Sequence, residues 1–150
     1  MTSDALIDAL VGTSFRVMGV LTRIGAEHDL SLTQLRVLGI LRDRRARVTE
    51  LATFLGLDKS TLSGLIDRAE RRGLLARGKN PEDRRAVDVF MTPAGIELAE
   101  RLYAEVRRTL GPPIGRLDPD RRDQLAEHLE ALMAIGPETP GWLAEKRLSP

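Results

Sequence analysis

Two short runs of this 150-residue chain carry side chains suited to gripping a polyanion. The first, DKSTLS from Asp58 to Ser63, sets Lys59 beside the hydroxyls of Ser60, Thr61 and Ser63 at the head of a helical pattern. Backbone amides at a helix start, with the positive end of the helix dipole behind them, attract phosphate. Short hydroxyl side chains let such a helix come close to base edges. The second run, RGKNPEDRR, carries Arg77, Lys79, Arg84 and Arg85 around a turn signal. An Arg on a protruding ribbon suits a narrow minor groove, where the potential is most negative. Both runs also have plainer readings: Asp58 or Ser60 as a helix cap, and the second run as a solvated charged loop, with Asp83 bracing the turn by accepting from Arg85.

Covalent chemistry has little to work with. There is no cysteine, so disulfides, thiolate catalysis and thiolate zinc sites are excluded. Neither a GxSxG elbow nor a GxxxxGK[ST] loop occurs. His28 and His128 are the only histidines, each beside acidic residues but in no metal-binding spacing, and they read as exposed helix residues. No catalytic or metal site is expected, and no cofactor. Charge is uneven: residues 36–85 hold 13 Lys/Arg against 7 Asp/Glu, a net of +6, so a chain of net +1 carries −5 elsewhere. A basic centre between acidic flanks suits nucleic acid.

These residues need elements to hold them. Aromatics make up only 3 % of the chain, so its core must come from Leu, Ile, Val and Ala, which favours helix packed on helix. A long first helix is expected over 5–28, with Leu6, Leu10, Val17, Leu21 and Ile24 at helical spacing. Ser31 and Gln34 form a capping-box pattern for a second helix over about 32–43. Next comes a tight helix-turn-helix. Ala52 is small enough for the helix crossing, Gly56 permits positive φ in the turn, and Leu62 packs back on the first helix. Gly73 stops the second helix, and Val87, Val89 and Met91 alternate with Asp88 and Phe90 in a returning strand. Thr92-Pro93 opens a helix to about Leu110, which GPPIG from Gly111 should break. Asp118-Pro119 then opens a last helix to about Ile135. The Pro/Gly-rich tail reads as irregular, with Trp142 a candidate for docking on a partner subunit or neighbouring helix. No run approaches the roughly 20 apolar residues of a membrane span, and the acidic N-terminus does not read as a signal peptide. The fold class is mainly α with a small β-wing.

The run LDKSTLSGLIDRAERRGLLAR from Leu57, with NPEDRRA from Asn80 and VFMTPAG from Val89, resembles the MarR family of bacterial transcriptional regulators. That resemblance covers nearly the whole chain. It implies a winged helix-turn-helix lobe over 31–92, a connecting helix over 93–110, and dimerisation helices and tail over 1–30 and 111–150. It also implies a cytoplasmic homodimer that binds double-stranded DNA at a palindromic operator, usually as a repressor, with a small aromatic or phenolic effector releasing it in many members. By position, Lys59, Ser60, Thr61, Ser63 and Arg68 would face DNA from the recognition helix, with Arg84 and Arg85 at the wing tip. Gly64 stands where many relatives carry a larger polar or basic residue. The family's thiol-based peroxide sensors need a cysteine this chain lacks. The alternative is a winged helix used for protein interaction without specific DNA binding.

Overall fold

In a computed structural model that describes residues 2–134, the caps expected at Ser31, Asp58, Thr92 and Asp118 all form. Thr2 opens α1 (Ser3–Glu27) by accepting from the Ala5 amide at 3.2 Å. Ser31 and Gln34 form a complete capping box for α2 (Leu32–Leu41). Between them Gly25 lies so close to the loop that an added Cβ would come within 2.7 Å of the Leu30 carbonyl oxygen. Gly12 and Gly19, by contrast, face open space. After strand β1 (Ala46–Arg47) come α3 (Val48–Leu55) and α4 (Lys59–Arg71). The turn between α3 and α4 rests on Gly56 at φ 66°, a left-handed conformation that only glycine takes without a Cβ clash. Ala52 and Leu62 are buried at the crossing as expected, with Leu51 and Ile66 beside them.

The largest fully buried side chains, Leu51, Leu62, Ile66, Val37 and Val89, come from α2, α3, α4 and β3 (Val87–Met91), so the core centres on this lobe, and Ile24 of α1 with Leu98 and Leu102 further along the chain joins the same cluster. Each such side chain contributes about 1.5–3 kcal/mol by leaving water. β3 pairs antiparallel with β2 (Leu75–Lys79) and with β1, giving the order β1-β3-β2. The strand β1 was not foreseen, because two residues carry no periodicity. The expected alternation along β3 also fails in part. Val87 at the wing end is exposed while Asp88 is buried. The reason is a polar partner set: Arg45 Nε donates to Asp88 at 3.3 Å and Asn80 Nδ2 at 2.9 Å.

Thr92 caps α5 by accepting from the Gly95 amide at 3.1 Å. The helix does not stop at Leu110 but runs Pro93–Ile114, through Pro112 and Pro113. Gly111 has no Cβ to clash with the Pro112 ring, which eases the first of the two prolines into the helix. Each proline still removes one helical hydrogen bond, and the chain turns at Gly115, whose amide donates to the Gly111 carbonyl at 2.8 Å. Asp118 then caps α6 (Pro119–Ala134), accepting from the Arg121 amide at 3.0 Å. Trp142 lies outside the described residues.

Two outer helices leave apolar side chains uncovered. On α1 these are Leu6, Ile7, Val11, Phe15 and Met18; on α6 they are Leu125, Leu129, Leu132 and Met133. Only the C-terminal part of α1, at Ile24 and Gly25, is buried. α1 is in fact long and apolar enough, with a mean hydropathy of 1.4, to cross a membrane by length and composition alone, against the expectation that no run comes near.

Candidate nucleic-acid interface

The buried side of α4 fixes which residues face outward. Leu62, Leu65, Ile66 and Ala69 point into the core, leaving Lys59, Ser60, Thr61 and Arg68 exposed. At the helix start Asp58 accepts from the Thr61 amide at 2.7 Å and from the Ser60 hydroxyl at 2.8 Å. The Thr61 N–H, then the Thr61 and Ser60 hydroxyls, hold the Asp58 carboxyl below its usual range. Asp58 is thus the cap, and the Ser60 hydroxyl commits its proton to Asp58. Arg68 Nη1 lies 3.8 Å from where a Cβ on Gly64 would sit. The space left by the missing side chain at position 64 is therefore bordered by a guanidinium.

The wing is braced from its root. Arg45, on the approach to β1, stacks over the Phe90 ring at 4.3 Å while it bonds Asp88. Asn80 Oδ1 accepts from the Glu82 amide at 2.9 Å and the Asp83 amide at 3.0 Å, which folds the turn. Asp83 does accept from Arg85, but from its backbone N–H at 3.0 Å rather than its side chain. Asp83 also faces Arg47 of β1 at 3.9 Å. Both Arg84 and Arg85 are exposed. A groove of about 290 Å³ is lined by Val48 and Thr49 from α3, Ser63 from α4, and Arg77, Arg85, Ala86 and Val87 from the wing. Helix α4, at Ser63, and the wing tip, at Arg85, therefore border one concavity.

Three expectations change. Arg77 is not part of the tip: it sits in β2 and its guanidinium pairs with Asp67 at 2.8 Å and with Glu70. Ser63 is half-buried, and its carbonyl and hydroxyl accept from Arg77 Nη2 at 3.3 and 3.5 Å. His28 is not a free exposed histidine; its Nε2 lies 2.8 Å from Glu105 Oε1, joining the end of α1 to α5. The carbonyls of His28 and Asp29 also accept from Arg72, at 2.9 and 3.1 Å, joining α1 to the end of α4. Sequence patterns missed Arg45, Arg72, Asp88 and Glu105, whose partners lie 43 to 77 residues away. Among the described residues no group of three His, Asp or Glu could hold a metal ion.

A second concavity, about 540 Å³ and mostly apolar, opens between α1, α2 and α5. Met18, Leu21, Leu35, Leu38 and Leu102 line it, with Arg36, Arg42 and Tyr103 among the lining residues. The Arg42 guanidinium stacks on the Tyr103 ring at 4.7 Å.

Comparison with known proteins agrees with this geometry. The model of the MarR family matches residues 28–86, from the end of α1 to the wing. The HTH-type transcriptional regulator YkoM of Bacillus subtilis is 30% identical over 104 residues, 69% of this chain and 68% of its own. The chain spans about two thirds of the length of the Bacillus subtilis relatives it matches. The homoprotocatechuate degradative operon repressor of Escherichia coli is 26% identical over 134 residues, 89% of this chain and 90% of its own. Among solved structures, BpsR of Bordetella bronchiseptica, whose DNA binding is regulated by 6-hydroxynicotinic acid, matches with a TM-score of 0.63 and 26% identity, over 86% of this chain and 92% of that one.

Proposed function

Because this chain belongs to the MarR family of transcriptional regulators, we propose that it works in the cytoplasm as a homodimeric repressor on a palindromic operator, released by a small aromatic effector. One observation carries the DNA-reading part. Ser63 of α4 and Arg85 of the wing tip line a single groove, while Leu62, Leu65, Ile66 and Ala69 commit the inner face of α4 to the core and leave Lys59, Ser60, Thr61 and Arg68 exposed. Lys59, Ser60, Thr61 and Arg68 would read from the major groove, with Arg84 and Arg85 entering the minor groove beside it. Ser63 would contribute through the hydroxyl that Arg77 orients.

The uncovered apolar faces of α1 and α6 support dimerisation, since contiguous exposed apolar surface on this scale marks an interface. A partner subunit is also the reading of α1 that this family favours over a membrane. The segments 1–30 and 111–150 would form the dimerisation region. The division at residue 110 becomes gradual, because α5 continues to Ile114. The cleft between α1, α2 and α5 joins the dimerisation helices to the DNA-reading lobe. An effector there would release DNA by favouring one spacing of the two lobes over another. A mobility shift on DNA upstream of its own gene tests the proposal: a sequence-specific shift at low salt supports it. No specific shift would favour a protein-interaction module instead.

A further inference from the structure

Arg77 itself makes none of the DNA contacts proposed above, yet its guanidinium bonds to several groups along α4. Its guanidinium meets Ser63, Asp67 and Glu70. These positions are i, i+4 and i+7 of one helix, a single stripe along α4. The neighbours Leu75, Val89 and Met91 already hold the strand against the core by apolar packing, so packing alone does not call for a cation here. Charge does. Helix α4 carries three cations, Lys59, Arg68 and Arg71, against two carboxylates, Asp67 and Glu70, a net of only +1. Asp67 directly precedes the DNA-facing Arg68 and its side chain is half-exposed. On a helix that approaches a phosphate backbone, two unpaired carboxylates would cancel most of the attraction.

Building on the DNA-binding reading, we propose that Arg77 is the positioning residue of this interface. It cancels the charges of Asp67 and Glu70 and ties β2 to α4, so that recognition helix and wing meet DNA as one unit. The account predicts a salt signature, because repulsion between uncovered carboxylates and phosphates is screened as ionic strength rises.

The experiment measures binding of the purified full chain by fluorescence anisotropy. The probes are an operator duplex selected from genomic fragments and a random duplex of equal length, at about 50 mM and about 300 mM salt. Arg77→Gln is expected to weaken operator binding roughly tenfold at the lower salt, with the deficit at least threefold smaller at the higher salt. In an Asp67→Asn/Glu70→Gln background, the same Arg77→Gln change should cost less than about twofold, because the charges it cancels are gone. Equal deficits at both salts and in both backgrounds would overturn the proposal. Should Arg77→Gln alone fail to fold, Asp67→Asn/Glu70→Gln decides. With Arg77 left uncovered it should bind the random duplex about threefold tighter, and unchanged or weaker binding overturns the proposal. Absence of operator binding by the wild-type chain would instead sink the DNA-binding reading itself.

Discussion

Arg84 and Arg85 differ from the other arginines of the wing because their side chains are left over once the turn is built. Asp83 spends its carboxylate on the Arg85 backbone amide and on Arg47. Both guanidiniums remain exposed at the tip. Arg85→Ala should therefore weaken operator binding by roughly tenfold or more and lower the salt dependence by about one counterion, while the dimer stays intact. Salt titration of binding and light scattering check the two halves of that expectation. An unchanged affinity would reassign Arg85 to plain surface. Arg84→Ala should act in the same direction. Asp58 makes a separate prediction at this scale. Its folded-state pKa is depressed by the Thr61 N–H, so its contribution is present above the unfolded value of about 3.9 and is lost as pH falls through the lowered one. Asp58→Asn keeps a capping oxygen but loses the charge. The urea midpoints of variant and wild type should differ at neutral pH and converge as pH falls through the lowered pKa. A gap that persists in acid would mean that the charge is not what Asp58 contributes.

At the scale of elements, two glycines separate conformational need from steric need. Gly56 has a left-handed backbone but open space where a Cβ would go. Gly95 has an ordinary helical position, but a Cβ there would overlap the Leu74 carbonyl in the link between α4 and β2. Gly56→Ala should cost about 1–2 kcal/mol, the price of a left-handed alanine. Gly95→Ala should cost about 1–3 kcal/mol or more, because backbone must move rather than a flexible side chain. Urea denaturation of both variants checks the ranking, and a Gly95→Ala variant as stable as wild type would show that α5 can slide away. The sequence was informative where structure is local. The caps at Ser31, Asp58 and Thr92 and the turn at Gly56 each depend on residues within a few positions, and all form. It misled where a local rule was overridden. The GPPIG run was expected to break α5 at Gly111, yet Gly111 eases Pro112 into the helix and α5 runs on to Ile114. It was silent where bonds span the chain. No periodicity could tell that Asp88 is buried against Arg45, that Arg77 turns back onto α4, or that His28 meets Glu105 77 residues later. For the residues proposed to contact DNA, the sequence could not show that Arg77 turns inward and holds Ser63 while Lys59 and Arg68 stay exposed.

For the whole molecule, the decisive feature is the contrast between a buried core centred on α2, α3, α4 and β3 and outer helices with many exposed apolar side chains. Phe15 is 66% exposed and Met133 64%, values out of keeping with a helix that works alone. The proposed homodimer covers these faces and places two α4 helices at a fixed spacing. Phe15→Asp should shift the protein toward monomer in light scattering. It should also weaken operator binding by roughly tenfold or more while changing random-duplex binding little, since only the operator needs two readers in register. A dimer that survives this change would move the interface elsewhere. The central claim is that this chain finds a two-fold operator, and selecting bound sequences from genomic fragments with the purified protein tests it most directly. The account predicts a palindrome with half-sites about 10 base pairs apart, centre to centre, and binding that weakens steeply with salt. Recovery of fragments with no shared motif, even at low salt, would contradict it.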